Sequence, residues 1–316
     1  MPTRGLFRIV RQPIYVAFAL TLWSVPTWTP DQLAVAIVLT AYCLVGPLFK
    51  EERFGRRFGR EFHSYASRVP YWLPWPRPAI RRNDLSIYGA SADWWGGDAR
   101  WLRTLRNMAP ARFAFFDPIV GDWTGKRVLD LGCGGGFMAE ALHARGATAV
   151  GVDPSTGAVA AARRHAQASG LEIDYLVAKG EALPFAAAAF HIVVCVDVLE
   201  HVESLDRVLS EVRRVLRPGG LFLFDTINRT PLAAFVMVTL GEQALGLLPP
   251  GTHDPAMFIR PRDLAARLAA CGFAVGPVAG FGPRGLDRRL DFTFGRLPTS
   301  AVQYLGQARV CDDASV

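Results

Sequence analysis

The pattern of apolar and polar positions divides the chain into two parts. Near the N-terminus, Pro13 to Pro30 and Gln32 to Phe49 are 18 residues each, uncharged and mostly apolar. A helix of about 18 residues is close to the minimum that crosses a hydrocarbon layer of ~30 Å. Further along, short apolar runs alternate with segments whose apolar residues recur at helical spacing. The pattern therefore predicts a two-helix transmembrane hairpin followed by an α/β domain.

The α/β part has a regular order of strands and helices. The predicted strands are Val128–Leu131, Ala147–Val152, Ile173–Val177, Ile192–Val196 and Leu221–Asp225, with helices from about Thr156 to Ser169 and from Ser204 to Leu216. Such alternation favours a parallel sheet covered by helices on both faces. We therefore predict a doubly wound sheet, which binds ligands beyond the carboxyl ends of its strands.

The basic charge is concentrated in the N-terminal part. Residues 1–82 contain 12 Lys and Arg against 4 Asp and Glu, whereas the other 234 residues contain 23 against 24. Arg4 and Arg8 precede the first apolar segment, and Lys50 and Arg53 follow the second, so the positive-inside rule puts both flanks in the cytoplasm. The nearly neutral remainder lacks a basic face, and we expect no nucleic-acid partner.

The apolar segments have two other interpretations, a signal peptide and a buried hairpin of a soluble protein. A signal peptide is disfavoured because no small-residue cleavage site follows the first segment and a second segment does. A buried hairpin of a soluble protein stays open, since the segments are short and contain Pro26 and Pro47. The proline-rich stretch Pro70–Pro78 then marks a domain boundary.

These boundaries predict a membrane hairpin with a basic juxtamembrane segment over residues 1–80 and a globular domain over residues 83–316. The hairpin would lie in the cytoplasmic membrane, with the globular domain in the cytoplasm. Five scattered cysteines, an odd number without metal-binding spacing, agree with a reduced compartment.

The strongest chemical signal is a glycine-rich loop after the strand Val128–Leu131. Gly132 and Gly134 begin this loop, whose spacing differs from the G-x-G-x-x-G dinucleotide fingerprint. Asp153 ends the next apolar run, at a position where a carboxylate accepts hydrogen bonds from both hydroxyls of a ribose. The two features predict a nucleoside cofactor, either NAD or S-adenosylmethionine.

The sequence of this loop resembles that of class I S-adenosylmethionine-dependent methyltransferases. The matching residues are Asp130-Leu-Gly-Cys-Gly-Gly-Gly136, followed by Gly151-Val-Asp153. The resemblance implies S-adenosylmethionine as the cofactor. It also implies a Rossmann-like sheet of seven strands closed by an antiparallel pair, for which Phe273–Phe281 and Ser300–Val310 are the candidates.

Asp197, Glu200 and His201 follow the strand Ile192–Val196. Carboxylate oxygens suit Mg²⁺, which lowers the pKa of a bound phenol and orients it, and a histidine acts as a general base near neutral pH. An acidic residue after a strand also caps the helix that follows. The residues alone leave a metal site, a general base and a helix cap open.

A series of motifs over about residues 86–310 resembles the ubiquinone-biosynthesis O-methyltransferase family. The motifs are Trp94-Trp95, Pro110-Ala-Arg112, the glycine loop, Leu199-Glu-His-Val202, Asn228-Arg229, and Gly251-Thr-His-Asp254 with Phe258-Ile259. The resemblance implies that Arg112 meets the cofactor carboxylate, Asp153 the ribose and Val196 the adenine side. The cofactor-binding residues expected are Arg112, Asp130, Gly132, Gly134, Asp153, Glu181 and Val196. The same resemblance implies a Mg²⁺ site of Asp197, Glu200 and His201, with Glu200 and His201 catalytic.

The N-terminal part carries a second resemblance, over about residues 8–74. Arg11-Gln-Pro-Ile-Tyr15, Glu51-Glu-Arg53 and Phe58–Tyr65 are similar to the C-terminal part of the isoprenylcysteine carboxyl methyltransferase and phospholipid methyltransferase superfamily. Gln12 stands where that pattern has histidine, and its earlier membrane helices are absent. We therefore favour a membrane anchor over a second methyltransferase site.

The stretch Pro231–Leu240 with Leu245–Leu248 is an apolar insertion before the Gly251-Thr-His-Asp254 motif. It predicts either a core helix or a membrane-dipping lid that admits a polyprenyl tail. Together these features favour a membrane-tethered O-methyltransferase for a hydrophobic phenol or catechol, with a polyprenyl quinone precursor as the favoured acceptor. A methyltransferase for another hydrophobic small molecule and a non-catalytic S-adenosylmethionine-binding scaffold are the alternatives.

Overall fold

A computed structural model describes residues 5–72, 83–90, 94–96, 99–244, 247–289 and 291–311. The chain divides into two compact units, one of Met1–Ile80 with Met237–Gly246 and one of Arg81–Val236 with Leu247–Val316. Residues 73–82, which include most of the predicted linker Pro70–Pro78, lie outside the described residues.

The first unit contains the helices α1 (Pro13–Trp23) and α2 (Pro30–Arg68). Thr29 and Gln32 form a capping box that starts α2, because each side chain accepts a backbone amide of the other residue. Near the end of α1, Trp23 Nε1 donates to Thr40 Oγ1 at 2.8 Å, whereas Gln12, just before α1, donates to Glu51 Oε1 at 2.7 Å. The two helices therefore run antiparallel.

Only the second predicted span has the length of a membrane helix in the described part of the chain. The helical span Pro30–Gly59 covers 30 residues, and its most apolar stretch of 18 residues has a mean hydropathy of 2.0 and is 17% buried. Helix α1 has 11 residues and is about 17 Å long at 1.5 Å per residue. It ends early because Pro26 disfavours the helical conformation of the residue before it. Two helices of spanning length are thus not confirmed.

The second unit is built on one mixed sheet. Its strands are β1 (Arg127–Leu131), β2 (Thr148–Asp153), β3 (Asp174–Val177), β4 (Phe190–Cys195), β5 (Leu216–Ile227), β6 (Phe273–Val275), β7 (Ala279–Leu286), β8 (Phe292–Leu297) and β9 (Gln303–Val310). The order is β3-β2-β1-β4-β5-β9-β7-β8, and β6 pairs with β9. The first five strands are parallel, whereas β9 is antiparallel to β5.

The sheet has nine strands in the described residues, where seven were predicted. The predicted strand Phe273–Phe281 is divided into β6 and β7, which both pair with β9. Pro277 lies in the gap and has no backbone amide to continue the ladder. The other additional strand is β8, which forms a hairpin with β7 and which the sequence pattern did not reveal.

Helices cover both faces of the sheet. They are α3 (Ser86–Ala90), α4 (Arg100–Val120), α5 (Phe137–His143), α6 (Thr156–Ala168), α7 (Leu205–Val215), α8 (Pro231–Ala234) and α9 (Pro261–Ala270). Val128 of β1 packs in a core with α4, α5 and α6, and its neighbour Leu129 packs in another core with α7 and α9. Successive strand residues thus face opposite layers, which confirms the predicted doubly wound arrangement.

The apolar insertion is helical. Helix α8 continues as a π-helix over Phe235–Ala244, and a short 3₁₀-helix, Pro255–Met257, precedes α9. Residues Leu245 and Gly246 lie outside the described residues. A helix agrees with both predicted roles of the insertion.

Candidate active site

The glycine loop connects β1 to α5 with a tightly turned backbone. Gly132 and Gly134 have φ angles of +78° and +51°, in the left-handed region that side chains other than glycine rarely adopt. The amides of Gly132 and Cys133 both donate to Val152 O, at 2.7 and 3.0 Å. A Cβ on Gly132 would lie 2.1 Å from Val198 Cγ2, so no larger residue fits there.

Asp153 lies at the carboxyl end of β2 beside this loop. One carboxylate oxygen accepts the Gly134 amide at 3.0 Å, and the other accepts the Ser155 amide at 2.8 Å. Burial raises the pKa of Asp153, while these two hydrogen bonds lower it. A carboxylate offers about four acceptor positions, so both oxygens keep capacity for ribose hydroxyls.

A cavity of about 460 Å³ opens over the loop within the second unit. Its lining includes every predicted cofactor residue, namely Arg112, Asp130, Gly132, Gly134, Asp153, Glu181 and Val196, together with Asp197 and His201. Glu200 is the predicted site residue that is not part of this lining. The glycine backbone at one wall and the Asp153 carboxylate fit a nucleoside cofactor.

Arg112 of α4 is buried and forms two ion pairs across the unit. Its Nε lies 2.6 Å from Asp225 Oδ2, and its Nη2 contacts Asp197 Oδ2. Asp225, at the end of β5, is fully buried and also accepts the backbone amide of Asp197 at 2.7 Å. Two aspartates therefore orient the Arg112 guanidinium at the wall of the cavity.

The structure does not bring Asp197 into the predicted metal cluster. Besides Arg112, Gln303 Nε2 contacts its carboxylate at 3.3 Å, and its backbone is held at a φ angle of +55°. In the described residues, the group that could hold a metal is Glu200, His201 and His253, with one ligand atom of each within 4.8 Å of the others. Asp197 therefore lies outside this group, and His253, which the predicted ligand set did not include, lies within it.

Unsatisfied polar atoms mark this cluster. Glu200 Oε2 accepts the Thr226 hydroxyl at 2.7 Å, but Glu200 Oε1 is buried without a hydrogen-bond partner. His201 Nδ1 lies 2.7 Å from Asn83 Oδ1, whereas His201 Nε2 is buried and unpartnered. The rings of His201 and His253 are 5.1 Å apart. Unpaired buried acceptors are costly and often indicate a ligand or catalytic role.

Burial controls the charge state of the cluster. It raises the pKa of Glu200 to about 8, and the Asp197 carboxylate adds to the rise. It also lowers the pKa of His201 to about 3, with His253 as the second cause. Near neutral pH, in the absence of a bound cation, Glu200 is mostly protonated and His201 is neutral.

The remaining predicted residues have simpler surroundings. Glu181 Oε1 accepts the amides of Glu203 and Ser204 at 3.0 and 3.2 Å, at the start of α7. Asp130 is buried, and burial raises its pKa to about 7. Val196 is buried at the end of β4. One oxygen of Glu181 therefore caps the start of α7, and the residue also lines the cavity.

Sequence reasoning assigned no role to Asp225, His253, Asn83 and Gln303. His253 was part of a recognised motif, Gly251-Thr-His-Asp254, which was the available signal for it. Asp225 was the last residue of a predicted strand, where a charged residue in an otherwise apolar run indicates a buried partner. No motif or spacing in the sequence around Asn83 indicates its contact with His201.

Comparisons with known proteins agree with this geometry. A family model described as a methyltransferase domain matches residues 129–224. The ubiquinone biosynthesis O-methyltransferase of Azotobacter vinelandii is 38% identical over 188 residues, which are 59% of this chain and 80% of that protein. The enzyme of the same name from Pseudomonas savastanoi pv. phaseolicola is 36% identical over 216 residues, 68% of this chain and 92% of that protein.

Solved structures share the fold. Magnesium protoporphyrin IX methyltransferase from Synechocystis PCC 6803, with bound SAH, has a TM-score of 0.52 at 19% identity and covers 72% of this chain and 95% of that chain. A structure concerned with the conversion of a disulfide bond into a thioacetal group during echinomycin biosynthesis has a TM-score of 0.51 at 22% identity, over 65% and 82% of the two chains.

The doubly wound sheet, the glycine loop and Asp153 define a class I S-adenosylmethionine-dependent methyltransferase. The extent and identity of the match to the curated relatives make the assignment more specific. The chain belongs to the ubiquinone biosynthesis O-methyltransferase family.

Proposed function

We propose that this chain transfers the methyl group of S-adenosylmethionine to a hydroxyl oxygen of a hydrophobic phenol or catechol, with a polyprenyl quinone precursor as the favoured acceptor. The observation that carries the proposal is the buried cluster of Glu200, His201 and His253, because His201 also lines the cavity above the glycine loop. The family names support the acceptor class.

The reaction needs alignment and a destination for one proton. The phenol oxygen attacks the methyl carbon of the sulfonium, so a carbon–oxygen bond forms while the carbon–sulfur bond breaks. Holding both reactants in one cavity makes this step effectively unimolecular. Neutral His201 offers Nε2 as a hydrogen-bond acceptor that orients the phenol hydroxyl, and the hydroxyl proton passes to water as the ether forms. The products are a methyl ether and S-adenosylhomocysteine.

The same cluster fits a divalent cation. Glu200 Oε1 and His201 Nε2 have no other partner, and His253 completes a set of two imidazoles and one carboxylate. Two imidazoles suit Fe²⁺ or Zn²⁺ better than Mg²⁺, which prefers oxygen ligands. A cation bound there would lower the pKa of a bound phenol.

We further propose that the N-terminal unit tethers the enzyme to the cytoplasmic membrane. The apolar stretch of α2 is long enough to span a bilayer, and most of its large apolar side chains are exposed. The exposed ones are Leu33, Val35, Ile37, Val38, Leu44, Val45, Leu48 and Phe49. Arg11, Lys50 and Arg53 then fit the headgroup level.

The residues that resemble another methyltransferase superfamily contact one another in this unit. Arg11 Nη1 lies 3.3 Å from Glu51 Oε2, and the buried Gln12 bridges Glu51 Oε1 and Lys50 Nζ, both at 2.7 Å. The cavity beside them holds only about 10 Å³. Such a space is too small for a cofactor, which supports a structural role for the cluster.

The tether is tested by removing residues 1–80. The shortened chain should leave the membrane fraction and keep turnover on a short-chain catechol, whereas turnover on a long-tailed catechol in vesicles should fall. The opposite account, a second active site, is supported if residues 1–80 alone in lipid transfer labelled methyl groups and lose this with Glu51→Ala.

The acceptor is tested in cells. Lipid extracts from a strain that lacks this chain should accumulate a polyprenyl phenol or catechol one methyl group short of the parent strain's product, as measured by mass spectrometry. If the quinone lipids are unchanged and a different hydrophobic compound lacks a methyl group, that compound and not a quinone precursor is the acceptor.

A further inference from the structure

Asn83 makes two hydrogen bonds to the same residue. Its Oδ1 lies 2.7 Å from His201 Nδ1, and its Nδ2 donates to the backbone oxygen of His201 at 3.1 Å. The second bond fixes the amide orientation, because a backbone carbonyl only accepts and must face the NH₂ group. The oxygen of Asn83 therefore faces the imidazole ring.

This orientation decides which ring nitrogen of His201 carries the hydrogen. An amide oxygen is only an acceptor, so Nδ1 must be the donor. In a neutral imidazole the other nitrogen then holds a lone pair. That nitrogen, Nε2, is the buried atom without a hydrogen-bond partner beside Glu200 and His253. Accepting a hydrogen bond from a phenol hydroxyl and binding a cation both require this tautomer.

The backbone around Asn83 links the two histidines. Asn83 has a φ angle of +59°, which asparagine tolerates better than most residues. The next residue, Asp84, donates its amide to Gly251 O at 3.0 Å, and Gly251 lies two residues before His253. The segment thus connects the turn that carries His201 to the loop that carries His253.

We infer that Asn83 is a positioning residue that holds His201 in the Nδ1–H tautomer, with Nε2 free for the acceptor or a cation. The inference rests on the proposed function of His201. The inference also defines the N-terminal boundary of the catalytic domain. A shortened chain that begins after Asn83 loses the hydrogen bonds to His201.

Two substitutions separate the side chain from the backbone. Asn83→Gly keeps the left-handed conformation and removes the amide. Asn83→Asp keeps an oxygen that accepts from Nδ1 and loses the bond that Nδ2 donates to the His201 backbone. The full chain in detergent, labelled with ¹⁵N-histidine, reports the tautomer through the nitrogen resonances of its six histidines. His201→Gln identifies the His201 signals, and His191→Gln is the control at the opposite end of β4.

In the parent and in Asn83→Asp, we expect the His201 Nε2 resonance at the position of a nitrogen with a lone pair. In Asn83→Gly it should shift toward a protonated nitrogen as both tautomers are populated. Turnover in Asn83→Gly should fall about 10- to 100-fold, with an unchanged KM for S-adenosylmethionine, and Asn83→Asp should recover most of it.

An unchanged His201 spectrum in Asn83→Gly would overturn the inference, and so would a loss of turnover that Asn83→Asp does not recover. The resonance measurement needs no methyl acceptor. If His201→Gln keeps full turnover, the proposed role of His201 fails, while the spectrum of Asn83→Gly still decides whether Asn83 sets the tautomer.

Discussion

Arg112 and Asp225 form a buried ion pair between α4 and β5, with 2.6 Å between Nε and Oδ2 and side chains that are 3% and 0% exposed. The other oxygen of Asp225 accepts the Asp197 amide. Asp225 therefore binds the side chain of Arg112 and also stabilises the turn after β4, where Asp197 has a positive φ angle. Each charge has lost its water, so the pair is stable only when both partners are present.

Asp225→Ala should lower the free energy of unfolding by about 3–5 kcal/mol, because it leaves the Arg112 guanidinium buried with one carboxylate fewer. Thermal unfolding of the full chain in detergent, followed by circular dichroism, measures the change. Asp206→Ala is the matched control, since its ion pair with Arg267 is exposed and contributes about 0–1 kcal/mol. Equal losses in the two variants would contradict the account.

Asp153→Ala should weaken S-adenosylmethionine binding by roughly 1.5–3 kcal/mol, because a charged acceptor for the ribose hydroxyls is lost. Titration calorimetry on the full chain gives the dissociation constants. Asp153→Asn retains one acceptor oxygen and should fall between the parent and the alanine variant. An alanine variant with the parent's affinity would remove Asp153 from the cofactor site.

The pKa of Asp130 predicts a dependence of stability on pH. Burial raises this pKa from 3.8 to about 7, so between these values the folded state holds a proton that the unfolded state has released. The stability that this group contributes is present below pH 3.8 and is lost as the pH rises toward 7, by up to about 1.36 kcal/mol per pH unit.

Asp130→Asn removes this titration. The free energy of unfolding of the variant, minus that of the parent, should therefore increase from pH 4 to pH 7, as measured by chemical denaturation at a series of pH values. Other groups cancel in the difference. A difference that stays constant, or that increases as the pH falls, would show that Asp130 ionises normally in the folded chain.

The cluster of Glu200, His201 and His253 leads to a prediction about metal dependence. EDTA should abolish methyl transfer to a water-soluble catechol, and Fe²⁺ or Zn²⁺ should restore it better than Mg²⁺. His253→Gln should raise the metal concentration needed for half-maximal activity by about tenfold or more, since it removes one ligand. His191→Gln should leave that concentration unchanged. Full activity of the parent in EDTA would exclude the metal and leave His201 to orient the phenol hydroxyl.

The sequence predicted those parts of the site that depend on local structure. The glycine loop and Asp153 are recognisable because a turn with left-handed backbone and an acid at a strand end are specified within a few residues. The parallel strands β1 to β5 follow from apolar periodicity. These features involve contacts between neighbouring elements, which a pattern of residue types reveals.

The contacts that were missed connect distant positions. Arg112 and Asp225 are 113 residues apart, and Asn83 and His201 are 118 apart. No spacing rule predicts such pairs, and the same limit explains why Asp197 was placed with Glu200 when Arg112 holds it instead. The predicted length of the first helix was not confirmed, and the reason is local. Hydropathy reports composition and does not show where a helix ends.

Methyl transfer by the purified full chain in lipid vesicles tests the central claim most directly. With labelled S-adenosylmethionine and a polyprenyl catechol, mass spectrometry of the lipid product should show one added methyl group, carried as an ether on a ring oxygen. His201→Gln should abolish this product while cofactor binding persists. A methyl group on carbon or nitrogen, or no transfer to any phenol under conditions in which S-adenosylmethionine binds, would contradict the account.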